Sequence, residues 1–191
     1  MYVVKYKGDF GFIKPWTAVR DGKTYSQQFL TPSIIEGIEK KLFPEMLSYN
    51  GVIKKIKRHK LNYMGIDIQQ EQIQPRGWNV LSKGKTMTRK RAILERGIML
   101  HPILYLGFDN LEDAKMAMRQ HICLCRNEDL MLPDDNILTI TEDDFNSIDG
   151  FELRFGESEQ SFLVGYNRFD NSKPMYGWLE ISGKPVLNAN E

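Results

Sequence analysis

Two stretches of the chain set lysine and arginine around tryptophan. Arg76, Trp78, Lys83, Lys85, Arg89, Lys90 and Arg91 form the larger one, and Lys14, Trp16, Arg20 and Lys23 form a smaller version near the amino terminus. Cations interleaved with an aromatic can hold phosphates while a base stacks on the ring, which is the chemistry of single-stranded RNA binding. Each stacked base contributes ~1 to 3 kcal/mol. These residues are the candidate RNA-binding set. A plainer reading fits them too: a solvated hairpin whose lysines guard an exposed edge, with Arg20 and Lys23 as ordinary turn residues.

Cleavage chemistry is harder to assemble. Metal-free RNA hydrolysis needs one group to take the 2′-hydroxyl proton, another to protonate the leaving oxygen, and cationic help at the phosphorane, each positioned acid or base giving roughly 10² to 10⁴-fold. His59 falls in a basic segment, where solvation or a phosphate contact explains it. His101 precedes Pro102 at a strand entrance, and His121 falls late in a helix. None has a second catalytic partner nearby in sequence, so no catalytic residue is assigned. Cys123 and Cys125 are too close on any regular element for a disulfide, and no Cys/His zinc set exists. The clusters Asp134-Asp135 and Glu142-Asp143-Asp144 lack calcium-loop spacing and no Gly-Lys-Ser/Thr phosphate loop occurs, so no metal or cofactor is expected.

A net charge of +1 conceals a polarity. Residues 1 to 100 carry 19 lysines and arginines against 8 carboxylates, and residues 101 to 191 carry 7 against 17, giving +11 and −10. Such separation suggests a polyanion partner for one face, unless the halves neutralise each other on folding. The acidic clusters serve solubility or dock on a basic neighbour. The longest apolar stretch, Ile98 to Phe108, is broken by His101-Pro102 and is far short of the ~20 residues that span a bilayer. With no secretory pattern at Met1 to Lys7 either, a cytoplasmic protein without membrane contact is expected.

The elements that would position these residues follow from periodicity. Tyr2 to Lys7 alternates as a strand. Thr31-Pro32-Ser33 opens a helix, with Ser33 and Glu36 at capping-box spacing, Ile34, Ile38 and Leu42 on one face, and Pro44 as the stop. Val52 to Leu61 reads as a strand with a cationic outer face. A polar, basic hairpin over 66–92 precedes a central strand, Ile103 to Phe108. Asn110 caps a second helix carrying Ala114, Met118 and Ile122, and Asn136 to Thr141 is a further strand. Phe151 to Phe155, Phe162 to Tyr166 and Met175 to Ile181 are three short strands. The order is that of an α+β, ferredoxin-like (RRM-like) βαββαβ domain over 1–145, with the hairpin as an insertion and 146–191 as a small antiparallel C-terminal β extension.

Four segments together carry a family resemblance. Gly8-Asp9-Phe10-Gly11-Phe12 with Lys14-Pro15, then Tyr25 with Thr31-Pro32-Ser33 and Gly37, then Thr88 to Leu94 with Tyr105, and finally Leu163 to Trp178 with Gly165, Tyr166, Asp170, Pro174 and Gly183 run in order along the chain. In this the sequence resembles the fifth Cas family, the CRISPR-associated RAMP protein that caps the crRNA 5′ end in type I complexes, and its subtype I-C form most closely. The resemblance implies a subunit that binds CRISPR RNA and other subunits of the complex, often through an extended hairpin called a thumb. It also implies, for the I-C form, metal-free cutting of precursor RNA by a tyrosine after the first helix and a Lys-His pair opening the second. Here those positions hold Phe43 and Glu112-Asp113, and the Ile122 to Glu128 segment lacks the usual aromatic-glycine motif. The expected role is therefore RNA binding without cleavage. A metal-independent endoribonuclease using His101, Tyr105 or His121, and an interaction protein occupying the subunit's place, are the alternatives.

Overall fold

The computed structural model describes residues 1–15, 22–73, 77–81, 86–88 and 92–187. In chain order the elements are β1 (Tyr2–Lys7), β2 (Phe10–Gly11), β3 (Lys23–Tyr25), α1 (Pro32–Leu42), β4 (Ile56–Asn62), β5 (Gly65–Ile73), β6 (Asn79–Leu81), β7 (Thr86–Thr88), β8 (Ala92–Leu100) and β9 (Ile103–Phe108). Then come α2 (Leu111–Met118), β10 (Ile122–Cys123), β11 (Leu130–Thr139), α3 (Glu142–Ser147), β12 (Gly150–Phe155), β13 (Phe162–Asn167) and β14 (Lys173–Ser182). The class is mixed α+β and rich in strand. One eight-stranded antiparallel sheet, ordered β10-β11-β1-β9-β4-β12-β14-β13, forms the body.

Both longer helices lie on one face of that sheet. Ile35, Ile38 and Leu42 of α1 and Ala114 and Ala117 of α2 meet Val4, Tyr6, Leu61, Leu104, Leu106 and Phe108 in the main core. Burial of each large aliphatic side chain there contributes ~1.5 to 3 kcal/mol. The Tyr6 hydroxyl, pushed above its usual pKa by burial, donates to the Ala117 carbonyl at 2.7 Å. Asn110 caps α2 as its sequence predicts, its side chain accepting from the Glu112 amide. The capping box expected at Ser33 and Glu36 does not form. Thr31 is the cap residue without a side-chain cap bond, while Glu36 accepts instead from Lys40 and from the Gly51 amide.

The entry to β4 differs from expectation in a way that matters. Residues 52–55 are not strand, because the buried Glu39 carboxylate accepts the backbone amides of Lys54, Lys55 and Ile56. The register against β9 then skips Lys57: Ile56 faces Phe108 and Arg58 faces Gly107. This bulge changes the face presented by the strand, so Ile56, His59 and Leu61 share the helix side and Arg58 and Lys60 the other.

That other face is not open. Thr141 and Asp144 close a capping box that starts α3, and α3 covers β4, with Phe145 fully buried between them and Arg58 4.8 Å above its ring. Arg58 binds Glu152 through two nitrogens at 2.8 and 2.7 Å and also pairs with Glu142. Lys60 donates to the carbonyls of Phe145, Asn146 and Ile148. Of the cationic outer face expected of Val52 to Leu61, Arg58 and Lys60 are thus buried and fully partnered while Lys54 and Lys57 are exposed, and the acidic run at Glu142 to Asp144 is a helix start. His59, expected in solvent, is buried on the helix side with its ring stacked on Phe155 at 5.5 Å. Burial lowers its pKa to about 4.

The three tail strands fall where the sequence places them, but β12 pairs with β4 through Phe151 and Leu61, so they continue the sheet. The hairpin pairs further than its expected bounds. β5 and β8 run antiparallel without a break from Gly65 opposite Leu100 to Ile73 opposite Ala92, and β6 with β7 form a second short ladder beyond them. β11 begins at Leu130, well before Asn136, and α2 ends at Met118, leaving Ile122 in β10 and His121 beyond the helix. No helix among the described residues is long and apolar enough to cross a membrane.

Candidate nucleic-acid interface

The base of the hairpin is clamped. β8 pairs with β5 on one side and with β2 and the parallel β3 on the other. Below this small sheet the Phe12 ring lies between two guanidinium groups, Arg96 at 5.7 Å and Arg126 at 5.2 Å. Glu71 bridges both arginines, at 3.3 Å to Arg96 and 2.8 Å to Arg126, and the buried Asp129 binds Arg126 at 2.7 Å. Arg96 also donates to Thr24, tying β3 to β8. A hairpin whose root is fixed this way can present its outer end at a defined angle.

On the side of β3, Tyr25 lies against Gly97, where a side-chain carbon on the glycine would overlap the ring. Tyr25 is 51% exposed. The Lys23 ammonium sits 5.7 Å from the ring centroid and 3.5 Å from the Glu95 carboxylate; Tyr25 and Glu95 hold its pKa above the usual value. Of the candidate RNA-binding residues, Lys23 is exposed here, Lys14 is exposed elsewhere and Trp78 is exposed beyond the clamped base. Trp16, Arg20, Arg76, Lys83, Lys85, Arg89, Lys90 and Arg91 lie outside the described residues.

Lys14 belongs to a cleft of about 1010 Å³ between the start of α1 and the β13–β14 hairpin. Its walls bring together segments far apart in sequence: Lys14, Thr31-Pro32-Ser33 with Gly37, and Gly165, Tyr166 and Pro174. Three of the four segments that carry the family resemblance therefore meet at one place. Phe155, backed by His59, Phe169 and Tyr176 add aromatic surface to the wall.

The positions expected for cutting chemistry are filled by other interactions. Phe43 is fully buried, and Lys55 lies 4.4 Å from its ring while binding Asp113 at 2.7 Å. Asp113 and Glu112 occupy the first turn of α2, where carboxylates suit the helix dipole. His101 has a left-handed φ of 45° at the β8–β9 turn and donates its amide to Asp9. His121 is exposed, with its Nε2 3.5 Å from the Lys41 ammonium. Tyr105 is half-buried on the sheet under Lys5, and burial raises its pKa. Among the described residues no group of three His, Cys, Asp or Glu side chains could hold a metal ion. Cys123 and Cys125 are free thiols.

Sequence reasoning missed the Glu71–Arg126 clamp and the placement of Tyr25 beside Lys23. The clamp joins residues 55 apart and leaves no local pattern. The cap of α3 did have one, threonine followed three residues later by an acid.

No family model and no curated protein matches the chain. Among solved structures it is similar to a chain described as "CRISPR RNA-guided surveillance complex", with a TM-score of 0.54 and 9% identity over 96% of this chain and 90% of that one. At this identity the likeness concerns the fold.

Proposed function

We propose that the chain is a crRNA-binding subunit of a type I CRISPR interference complex, a member of the fifth Cas family close to its subtype I-C form. In this reading it grips the 5′ handle, contacts backbone subunits and does not cleave RNA. The observation that carries it is the fold likeness to a surveillance-complex chain across nearly the whole length. Support also comes from the strand order β11-β1-β9-β4 under two helices, which reads as a ferredoxin-like unit over 1–145, and from the clamped hairpin as its thumb. Residues 146–191 are then an extension that widens the same sheet. Phe43 and Glu112-Asp113, at the positions of the I-C nuclease groups, favour binding over cleavage.

The test is affinity for repeat RNA as a function of salt. With about six phosphates neutralised, log affinity falls against log salt with a slope near −4, at ~0.7 per contact. Replacing Lys85, Arg89, Lys90 and Arg91 by alanine flattens the slope; an unchanged slope removes the thumb from the interface. One observation favours a second reading, a metal-independent endoribonuclease: His121 has a cationic neighbour in Lys41. Repeat RNA incubated in EDTA decides it, since a discrete product lost in His121→Ala identifies an enzyme. Binding to backbone subunits without RNA affinity would instead mark an interaction protein.

A further inference from the structure

We infer that Tyr25 is a stacking platform for one unpaired RNA base, with Lys23 placed to receive a neighbouring phosphate. The inference rests on the RNA-binding reading above and adds a residue to it.

Three observations converge on this pair. The first is the seat of the ring. Tyr25 lies on the backbone of Gly97, with its Cε1 and Cγ 2.8 and 2.9 Å from where a glycine Cβ would stand, so only glycine leaves room for it there. An exposed aromatic in such a seat loses little freedom when a ligand stacks on it. The second is rigidity of the support. The Ser26 amide donates to the Gly97 carbonyl at 2.8 Å, the Glu95 amide to the Gly22 carbonyl at 2.7 Å, and Arg96 to the Thr24 hydroxyl at 3.1 Å. The whole of β3 is therefore fastened to β8 on both sides of the ring.

The third is charge. Among the described residues Lys23 is held in solvent by the Tyr25 hydroxyl and ring and, at 3.5 Å, by Glu95. An exposed ion pair of this length is worth little, so the ammonium can exchange the Glu95 carboxylate for a phosphate oxygen while staying beside the tyrosine. Tyr25 is 51% exposed although it pairs with β8 in the small sheet and its ring rests on Gly97. A ring of this kind beside an exposed cation fits a base and its phosphate, in the first half of the chain with its charge of +11.

The experiment uses the full chain and a single-stranded 12-nucleotide RNA carrying one 2-aminopurine, scanned position by position. With wild type, fluorescence is quenched at one or two positions. Tyr25→Leu, which keeps an apolar side chain but no ring, weakens binding roughly 5- to 100-fold and restores the fluorescence, at the range known for one stacked base. Tyr25→Phe recovers both quenching and affinity, because the ring and not the hydroxyl does the stacking. Circular dichroism checks that the variants fold. Wild-type affinity and quenching in Tyr25→Leu overturn the platform while leaving RNA binding intact; that outcome points to a protein neighbour on the ring. Failure of wild type to bind any RNA at low salt overturns the underlying reading, and this inference with it.

Discussion

Arg58 and Lys60 on β4 and Lys23 on β3 come from the same basic half of the chain, yet they live in opposite environments. The first two are buried under α3 and satisfied by Glu152, Glu142 and three backbone carbonyls. Lys23 stands in solvent beside an exposed aromatic. The contrast shows that a charge count along a sequence mixes cations that hold the fold with cations free to meet a ligand. Neutralisation between the halves is real at Arg58, at Lys7 with Asp134 and at Lys55 with Asp113. It does not extend to Lys23.

Removing Glu152 should break this contrast most severely. Glu152→Ala leaves the Arg58 guanidinium buried without its main counter-charge, which costs about 3 to 5 kcal/mol, read as a shift in the urea midpoint. The same substitution should leave the RNA contact proposed for β3 untouched where the protein still folds.

Acid should act next most strongly, and on the buried side alone. Burial lowers the His59 pKa to about 4, whereas the unfolded chain has a histidine near ~6.5. Between these values the unfolded state binds the extra proton, so stability is full above pH ~6.5 and falls as pH drops toward 4, by on the order of 3 kcal/mol. Glu152 adds a loss at lower pH. Burial pulls its carboxyl up, but the Arg58 hydrogen bonds and the nearby positive charge outweigh this and leave it below the usual value. A thermal midpoint that stays level from pH 7 to 4.5 would contradict the His59 assignment, and His59→Leu should flatten that part of the profile.

A smaller effect sharpens the comparison at the hairpin root. Glu71→Gln removes the carboxylate shared by Arg96 and Arg126 and should cost about 1 kcal/mol, since the group is partly exposed. Amide exchange in β5 and β8 should quicken while that of β4 and β9 stays slow. Smallest of all, Lys23→Ala should leave the thermal midpoint unchanged and reduce the salt slope of RNA binding by about 0.7.

Much of the sheet was legible in the sequence because alternation and caps are local signals. Tyr2 to Lys7, Ile103 to Phe108 and the tail strands could be read off their own residues, as could the Asn110 cap. What failed to show was long-range. Nothing near Arg58 or Lys60 announces that a helix more than 80 residues later will cover them. His59 looked solvated because its neighbours are basic, but both faces of β4 are covered, and a bulge just before His59 puts it on the helix side. Of the candidate site, composition marks the cations and tryptophans as candidates, while the seat of Tyr25 on Gly97 joins residues 72 positions apart and leaves no local pattern.

The extra residue at Lys57 has an evolutionary reach out of proportion to its size. With it, the strand delivers two cations to an acidic lid and a histidine to the oily side. Deleting that one codon would exchange the two sides downstream, pressing an ammonium and a guanidinium against aliphatic helices and turning Leu61 toward carboxylates. Length in the segment leading into this strand is consequently a stricter constraint than residue type, and insertions there should be far scarcer than substitutions.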